Sequence, residues 1–423
     1  MQNVEQYHSP NEGREIINNN FAEIEALAGY SANTYTTGTS ITNKTIYFNR
    51  NDSLSAYSAD LSSMFLWTGG SSGTSSIKAV NGSSIDATGD YAVAIGGGTL
   101  ASGSYSFALG SGGRATGNGS VSMGRDSLAS GAYSYAGGAG SSATTNSSFA
   151  HGDNCLANGV TSFALGTSSQ ALGPNSFAKG SSVMAYGDNS QAEGNSTIAS
   201  GSSSHAEGSG TIANGNSSHV EGRETKTYGA GSHAEGYLSV ASGAYSHAEG
   251  STTANGDYSH AEGSGNTASA DFSHASGINT NAYLVGQYAK SSYGSLTNAQ
   301  YSHVTIGCTT LSTTTPTKLT LHSGNELTIP SDVYWKGRAM IVASSHTQEI
   351  AEFDCTFLAK NVGGVSTLVT SGVTAGVDEI LLSGLTINVN DTTDSLEFFG
   401  LGNASKKINW YGFVEMVEIP QPQ

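Results

Sequence analysis

The chain has 423 residues, of which 56 are glycine and 12% charged, with 33 acidic against 16 basic side chains and a formal net charge of −17. Such an acid excess disfavours a polyanion, so nucleic acid is not an expected partner, and the acidity serves to keep a long polar body in solution. No apolar run is long enough to cross a bilayer as a helix, and Cys155, Cys308 and Cys355 show neither a paired nor a metal-binding spacing.

Residues 1–29 open with the signals of a helix over 9–28. Ser9 is placed as N-cap, Pro10 at the first position and Glu12 in capping-box register. Ile17, Phe21, Ile24 and Ala28 then follow at alternating four- and three-residue spacing, a short heptad seam. A helix of this length is marginal alone, so it is expected to seed an assembly of sister chains, to attach to a larger particle, or both. No basic-then-apolar leader is apparent, and export by a secretory signal is not expected.

Residues 30–86 alternate Ser/Thr/Gly-rich stretches with apolar runs such as Thr45-Ile46-Tyr47-Phe48 and Met64-Phe65-Leu66-Trp67, which predict a β-rich neck. Thr42 to Asn49 reads as one strand with a turn at Asn51-Asp52. Gly69-Gly70-Ser71-Ser72-Gly73 reads as a flexible joint, since no lysine follows in the frame of a phosphate loop.

Residues 87–281 are fourteen copies of one unit, Ala-x-Gly-x-x-Ser-x-Ala-x-Gly-x-x-x-x. A strict short period predicts a solenoid of stacked coils. Slot 10 is glycine in all fourteen units and slot 3 in twelve, so two glycine turns are expected to divide each coil into two strands. Alternation sends slots 6 and 8, nearly always Ser and Ala, inward with the Ala of slot 1, into an interior that admits only small side chains. Cys155, in slot 13 among Ser and Thr equivalents, is expected to be a small buried thiol.

Slots 7 and 9 point the other way and carry larger residues: Val93 and Ile95, Phe107 and Leu109, Val121 and Met123, Phe163 and Leu165. A contiguous apolar stripe marks an interaction surface, and identical columns bury best against copies of themselves, so a closed homo-oligomer about this stripe is expected. In the second half of the repeat the same slots become polar. His205, His219, His233, His247, His260 and His274 fill slot 7, while Glu193, Glu207, Glu221, Glu235, Glu249 and Glu262 fill slot 9. The favoured reading is a hydrogen-bonded polar core in which each imidazole meets a neighbouring carboxylate and the layers fix chain register. Three imidazoles about an axis are also able to hold a transition metal. Neither a metal nor a cofactor is assigned, and a ladder copied along a rod offers no catalytic cleft.

Val93-Ala94-Ile95-Gly96 with its small flanking residues resembles the left-handed β-roll head of trimeric autotransporter adhesins, and Ser-His-Ala-Glu-Gly resembles the variant of that repeat in bacteriophage tail fibres. The resemblance implies a parallel homotrimer with slots 7 and 9 on the shared axis. The absence of a leader points to the phage side of that resemblance: a virion tail fibre assembled in the host cytoplasm, attached through its amino terminus to tail, baseplate or other virion proteins.

Residues 282–294 read as a linker and 295–423 as a separate domain, richer in β-branched residues. Strands are predicted at Lys318–Leu321, Arg338–Ala343, Glu352–Leu358, Ser366–Thr370, Ile380–Leu382, Leu385–Val389, Ser395–Gly400 and Ile408–Ile419. This number suggests a sandwich or jelly roll, giving an all-β chain behind the short helix. Leu327-Thr328-Ile329-Pro330 with Trp335 and Ile408-Asn409-Trp410-Tyr411-Gly412-Phe413-Val414-Glu415 resemble the tip domain of phage fibres. The resemblance implies recognition of a host cell-surface glycan or protein, with Tyr334, Trp335 and Tyr411 as first contact candidates. No nucleophile, nucleotide or metalloprotease motif is present, and Glu326, Asp332, Glu349, Glu352 and Asp354 select no acid/base pair by spacing, so no enzyme is expected. A head or collar fibre without a receptor, and a fibre with a polysaccharide-degrading tip, are the alternatives.

Overall fold

A computed structural model of the chain describes residues 36–42, 45–50, 57–60, 67–69, 74–79, 84–291, 299–311, 315–347, 349–378, 384–401, 403 and 406–420. The expected helix over 9–28, the turn at Asn51-Asp52 and the strand Ile380–Leu382 lie outside these residues. Among the described residues every element is a strand except one 3-10 turn at His322–Gly324.

In the neck, Thr36–Thr42 pairs antiparallel with Thr45–Arg50, which pairs in turn with Tyr57–Asp60. Thr42 lies opposite Thr45, so the single strand expected over 42–49 is two arms of a hairpin.

The repeat folds as a parallel β-solenoid. Each coil contributes a long strand at slots 7–11, such as Phe163–Thr167, and a two-residue strand at slots 14 and 1, such as Gln170–Ala171. Successive coils pair in register, Phe163 with Phe177 and Gln170 with Met184. The interior is as narrow as its residues require. Ala157 and Ala164 have no exposed surface, and many of the buried hydroxyls donate to backbone carbonyls. The slot 6 serine donates to the slot 3 carbonyl of its own coil, as Ser204 does to Gly201 at 2.7 Å. The slot 13 side chain donates to the slot 10 carbonyl of the next coil, as Ser169 does to Gly180 at 3.0 Å. Cys155 takes that role with its thiol, 3.1 Å from the Gly166 carbonyl, and burial pushes its pKa up.

One of the two glycine slots is placed as expected: slot 3 opens a turn, the Gly159 carbonyl accepting from the Ser162 amide at 3.1 Å, whereas slot 10 is not a turn. Gly166, in slot 10, lies inside the long strand at φ +120°, and a Cβ there would stand 2.0 Å from the carbonyl oxygen of Gly180. Gly159, in slot 3, lies outside the left-handed region, and its Cβ would stand 1.9 Å from the Gly173 oxygen. Close approach of coil on coil is therefore what excludes a side chain at both slots, with left-handed φ added at slot 10. The other left-handed positions are slots 5 and 12, which hold Tyr105, Tyr133, Asn154 and Ser168 among others.

Parallel pairing begins at Ile77, opposite Val93, and continues to Ser291, opposite Gly277. The stretch read as a linker thus contains a further coil, with Leu284 and Ser291 where the marker glycines stand elsewhere. Gln287 occupies its slot 6 and reaches the terminal domain. There the buried carboxylate of Glu418 accepts hydrogen bonds from the amides of Gln287 and Gln300, at 3.0 and 3.1 Å, and from the Tyr283 hydroxyl. Burial pushes the Glu418 carboxyl up.

The terminal domain is the expected sandwich. Gln300–Leu311 pairs with Tyr288–Ser291, which carries the sheet of the rod directly into the tip. The order continues through Lys407–Pro420, Val333–Ser345, Ile350–Val362 and Val365–Asp378. The facing sheet consists of Ser395–Leu401 between Leu385–Asn390 on one edge and Pro316–Leu319 with Leu327–Thr328 on the other. Trp335, Ile341, Phe353 and Trp410 meet Leu319, Leu327, Leu396 and Phe398 in one core. Gln300–Leu311 was not among the predicted strands because its inward positions start with Ser302, and only Val304 and Ile306 mark the alternation.

Candidate functional site

In-register parallel stacking turns each outward slot into a ladder. On the apolar half of the rod, Val93, Ile95, Phe107, Leu109, Val121, Met123, Phe163 and Leu165 lie on one face, most of them half-buried. Within that face Tyr135, Phe149, Phe163 and Phe177 stack ring on ring, with centroids 4.7, 4.3 and 5.3 Å apart.

On the polar half the same column becomes a stack of six imidazoles. His205, His219, His233, His247, His260 and His274 follow one another at 4.6 to 4.9 Å between centroids. The sequence-predicted carboxylates stand beside them, yet the approaches within the chain are long: His205 Nε2 to Glu207 at 4.0 Å and His274 Nε2 to Glu262 at 3.5 Å. All six Nε2 atoms are enclosed and make no hydrogen bond among the described residues. Intrachain His/Glu pairing therefore does not satisfy the ladder.

The electrostatics follow from this crowding. Burial, and then the imidazoles above and below, holds His233 below the ordinary histidine value, and burial with one neighbouring imidazole, His260 and His274 respectively, lowers His247 and His260. Glu235 is pushed up, first by a hydrogen bond shared with Glu221 and then by burial. His247, Glu249 and His260 bring one donor atom each within 4.8 Å of one another. These are three ligands of the right type for a transition metal, one fewer than a closed structural site requires.

In the tip, Trp335 is fully buried between the two sheets, so the expectation that it contacts a receptor is corrected. A large indole gains more from the core than from the surface. Tyr334 is half-buried, and Tyr411 is 60% exposed on the outward face of the five-stranded sheet. Tyr301, Met340, Val342, Val417 and Ile419 share that face and were not singled out from the sequence, although the alternation of their strands marks them as outward. Of the five tip carboxylates weighed from the sequence, three are held in ion pairs. Lys318 holds Glu326 below the usual range, Lys406 does so for Glu349, and Arg338 for Asp354.

Residues 87–112, 115–141 and 157–182 match the YadA head domain repeat. Over these stretches the rod is similar to a YadA head. No curated protein matches the chain. The matched stretches fall on the half of the rod whose outward ladder is mainly apolar, and the imidazole stack lies beyond them. The polar ladder is thus carried on the same coil, with His in slot 7 and Glu in slot 9 in place of the apolar pair.

Proposed function

We propose that this chain is a homotrimeric fibre that adheres to a cell surface, and specifically a bacteriophage tail fibre. The YadA-head-like rod is the spacer, the amino-terminal segment attaches to virion proteins, and the terminal sandwich meets a host surface glycan or protein. The observation that carries the reading is the outward ladder of the rod. It combines stacked aromatic rings with six enclosed imidazole nitrogens that no group among the described residues satisfies. Both features call for burial against other chains, because unpaired buried polar atoms are costly and apolar columns bury best against their own copies. Three copies also make binding multivalent, so weak individual contacts suffice for adhesion. The function assigned is binding and not catalysis.

The test is twofold. Light scattering of the intact chain is expected to give three times 43.1 kDa. A mass of one chain ends the proposal. The full-length protein is also expected to block phage adsorption to susceptible cells. A trimer that leaves adsorption unchanged favours a structural head or collar fibre.

A further inference from the structure

We propose that the outward face of the tip's five-stranded sheet is a chain-to-chain interface, packed against the same face of sister copies as a continuation of the rod's ladder. The inference rests on the trimeric reading above and assigns a surface that reading leaves free for a receptor.

The observations concern one uninterrupted sheet face. Tyr288, in slot 7 of the last coil, pairs directly with His303 of Gln300–Leu311, so both side chains emerge on the same side. The ring column of the rod then crosses into the tip without a break. His274 meets Tyr288 edge-on at 4.8 Å, Tyr288 stacks on His303 at 4.9 Å, and His303 meets Phe413 at 5.1 Å. Register carries the face across the remaining strands: Phe413 lies opposite Met340, Tyr411 opposite Val342 and Val417 opposite Lys336.

This face exposes a group of apolar side chains among the charged Lys336, Arg338, Glu352, Asp354 and Glu415, where a solvated sheet face is ordinarily polar throughout. Tyr411 is 60% exposed, Val417 44%, Met340, Val342 and Ile419 each 42% and Tyr301 41%. A charge at its centre is already answered, since Arg338 makes a two-armed contact with Asp354, at 2.7 Å and 2.5 Å, and lies opposite Glu415. Burial against another copy therefore leaves that guanidinium paired. A second copy is the occupant because the rod's stripe and this face lie on one sheet, so a rotation axis that closes the first runs along the second. Receptor contacts then fall to the loops and to the outer side of the facing four-stranded sheet, and Tyr411 and Tyr334 become interface residues.

Hydroxyl-radical footprinting of the intact, unmodified protein tests this, each rate being normalised to that of the unfolded chain. Tyr105 and Tyr133, 65% and 72% exposed on the rod, serve as open references and the fully buried Trp410 as the closed one. Met340 and Tyr411 are expected to react at least tenfold more slowly than Tyr133. As a second readout, Val342→Glu with Tyr411→Glu is expected to leave the mass of the trimer unchanged and to speed proteolysis of residues 299–420 about tenfold, by splaying the tips. Met340 and Tyr411 reacting as fast as Tyr133 in a protein of trimer mass overturn this inference alone, as does protection gained only on adding host envelopes. A single-chain mass for the unmodified protein overturns the trimeric reading and this one with it.

Discussion

Replacing Gly166 by alanine tests the coil geometry at a position where conformation and contact act together. A Cβ at this residue would lie 2.0 Å from the carbonyl oxygen of Gly180, 2.9 Å from its carbon and 3.1 Å from its nitrogen, with φ at +120°. Ordinary van der Waals contact needs about 3.5 Å, so the two coils must separate by more than 1 Å. Opening this gap strains the Ser169-to-Gly180 contact, at 3.0 Å, and the ladder bonds from Phe163 to Ser176 and from Asn158 to Ala171, each at 2.9 Å. With ~1 kcal/mol for each hydrogen bond and ~2 kcal/mol for a forced backbone conformation, the expected loss is about 5 kcal/mol per chain. Gly97→Ala is the control, since a Cβ there meets nothing within 4 Å. It is expected to change stability by no more than about 0.5 kcal/mol. Because coils contact only their neighbours, hydrogen exchange should show protection lost in residues 157–184 and retained in residues 241–277. Gly166→Ala melting together with Gly97→Ala, with unchanged exchange at 157–184, would refute the close-approach argument.

The polar ladder yields two further predictions. His233→Phe with His247→Phe should keep the rod folded, because Phe163 and Phe177 already stack in the same slot at 5.3 Å. In an assembled fibre it should cost a few kcal/mol by leaving Glu235 and Glu249 unpaired, roughly 1–3 kcal/mol each, and adding Glu235→Leu and Glu249→Leu should recover most of the loss in a thermal melt. A quadruple variant no more stable than the double one would show that those carboxylates are solvated. On acidification, His233, His247 and His260 are held below their ordinary value, so between about pH 6.5 and their folded values the unfolded chain binds more protons. Stability should therefore be full at neutral pH and fall as pH drops through that window. Hydrogen exchange at about pH 7.5 and pH 5.5 should show the loss in residues 233–260 and not in residues 121–165. An equal response of the two halves would contradict the assignment.

The repeat was legible because its physics is local and periodic. Ala and Ser at fixed spacing announce a thin interior, glycine at fixed spacing announces contact between coils, and alternation assigns slots 7 and 9 to the outside. The extra coil at 282–291 was not legible, because its slots 3 and 10 hold Leu284 and Ser291 and its slot 6 holds Gln287. Gln287 is bonded to Glu418, a partner 131 residues away, and no local pattern announces such a bond. The fate of Trp335 and Tyr411 divides in the same way. Their strands were predicted from β-branched and aromatic content, but which residue faces the core depends on the strand's register against its neighbours, and that is set by the facing sheet.

The sequence by itself determined the period, the all-β class, the small-residue interior and the composition of the outward ladders, because each depends on residues within one coil. The tertiary structure alone decided that slot 10 is strand and not turn, that the imidazole Nε2 atoms find no partner among the described residues, and that the ring column passes from His274 through Tyr288 and His303 to Phe413. These features arise where coil meets coil and where rod meets tip, through distances between residues that the period does not relate.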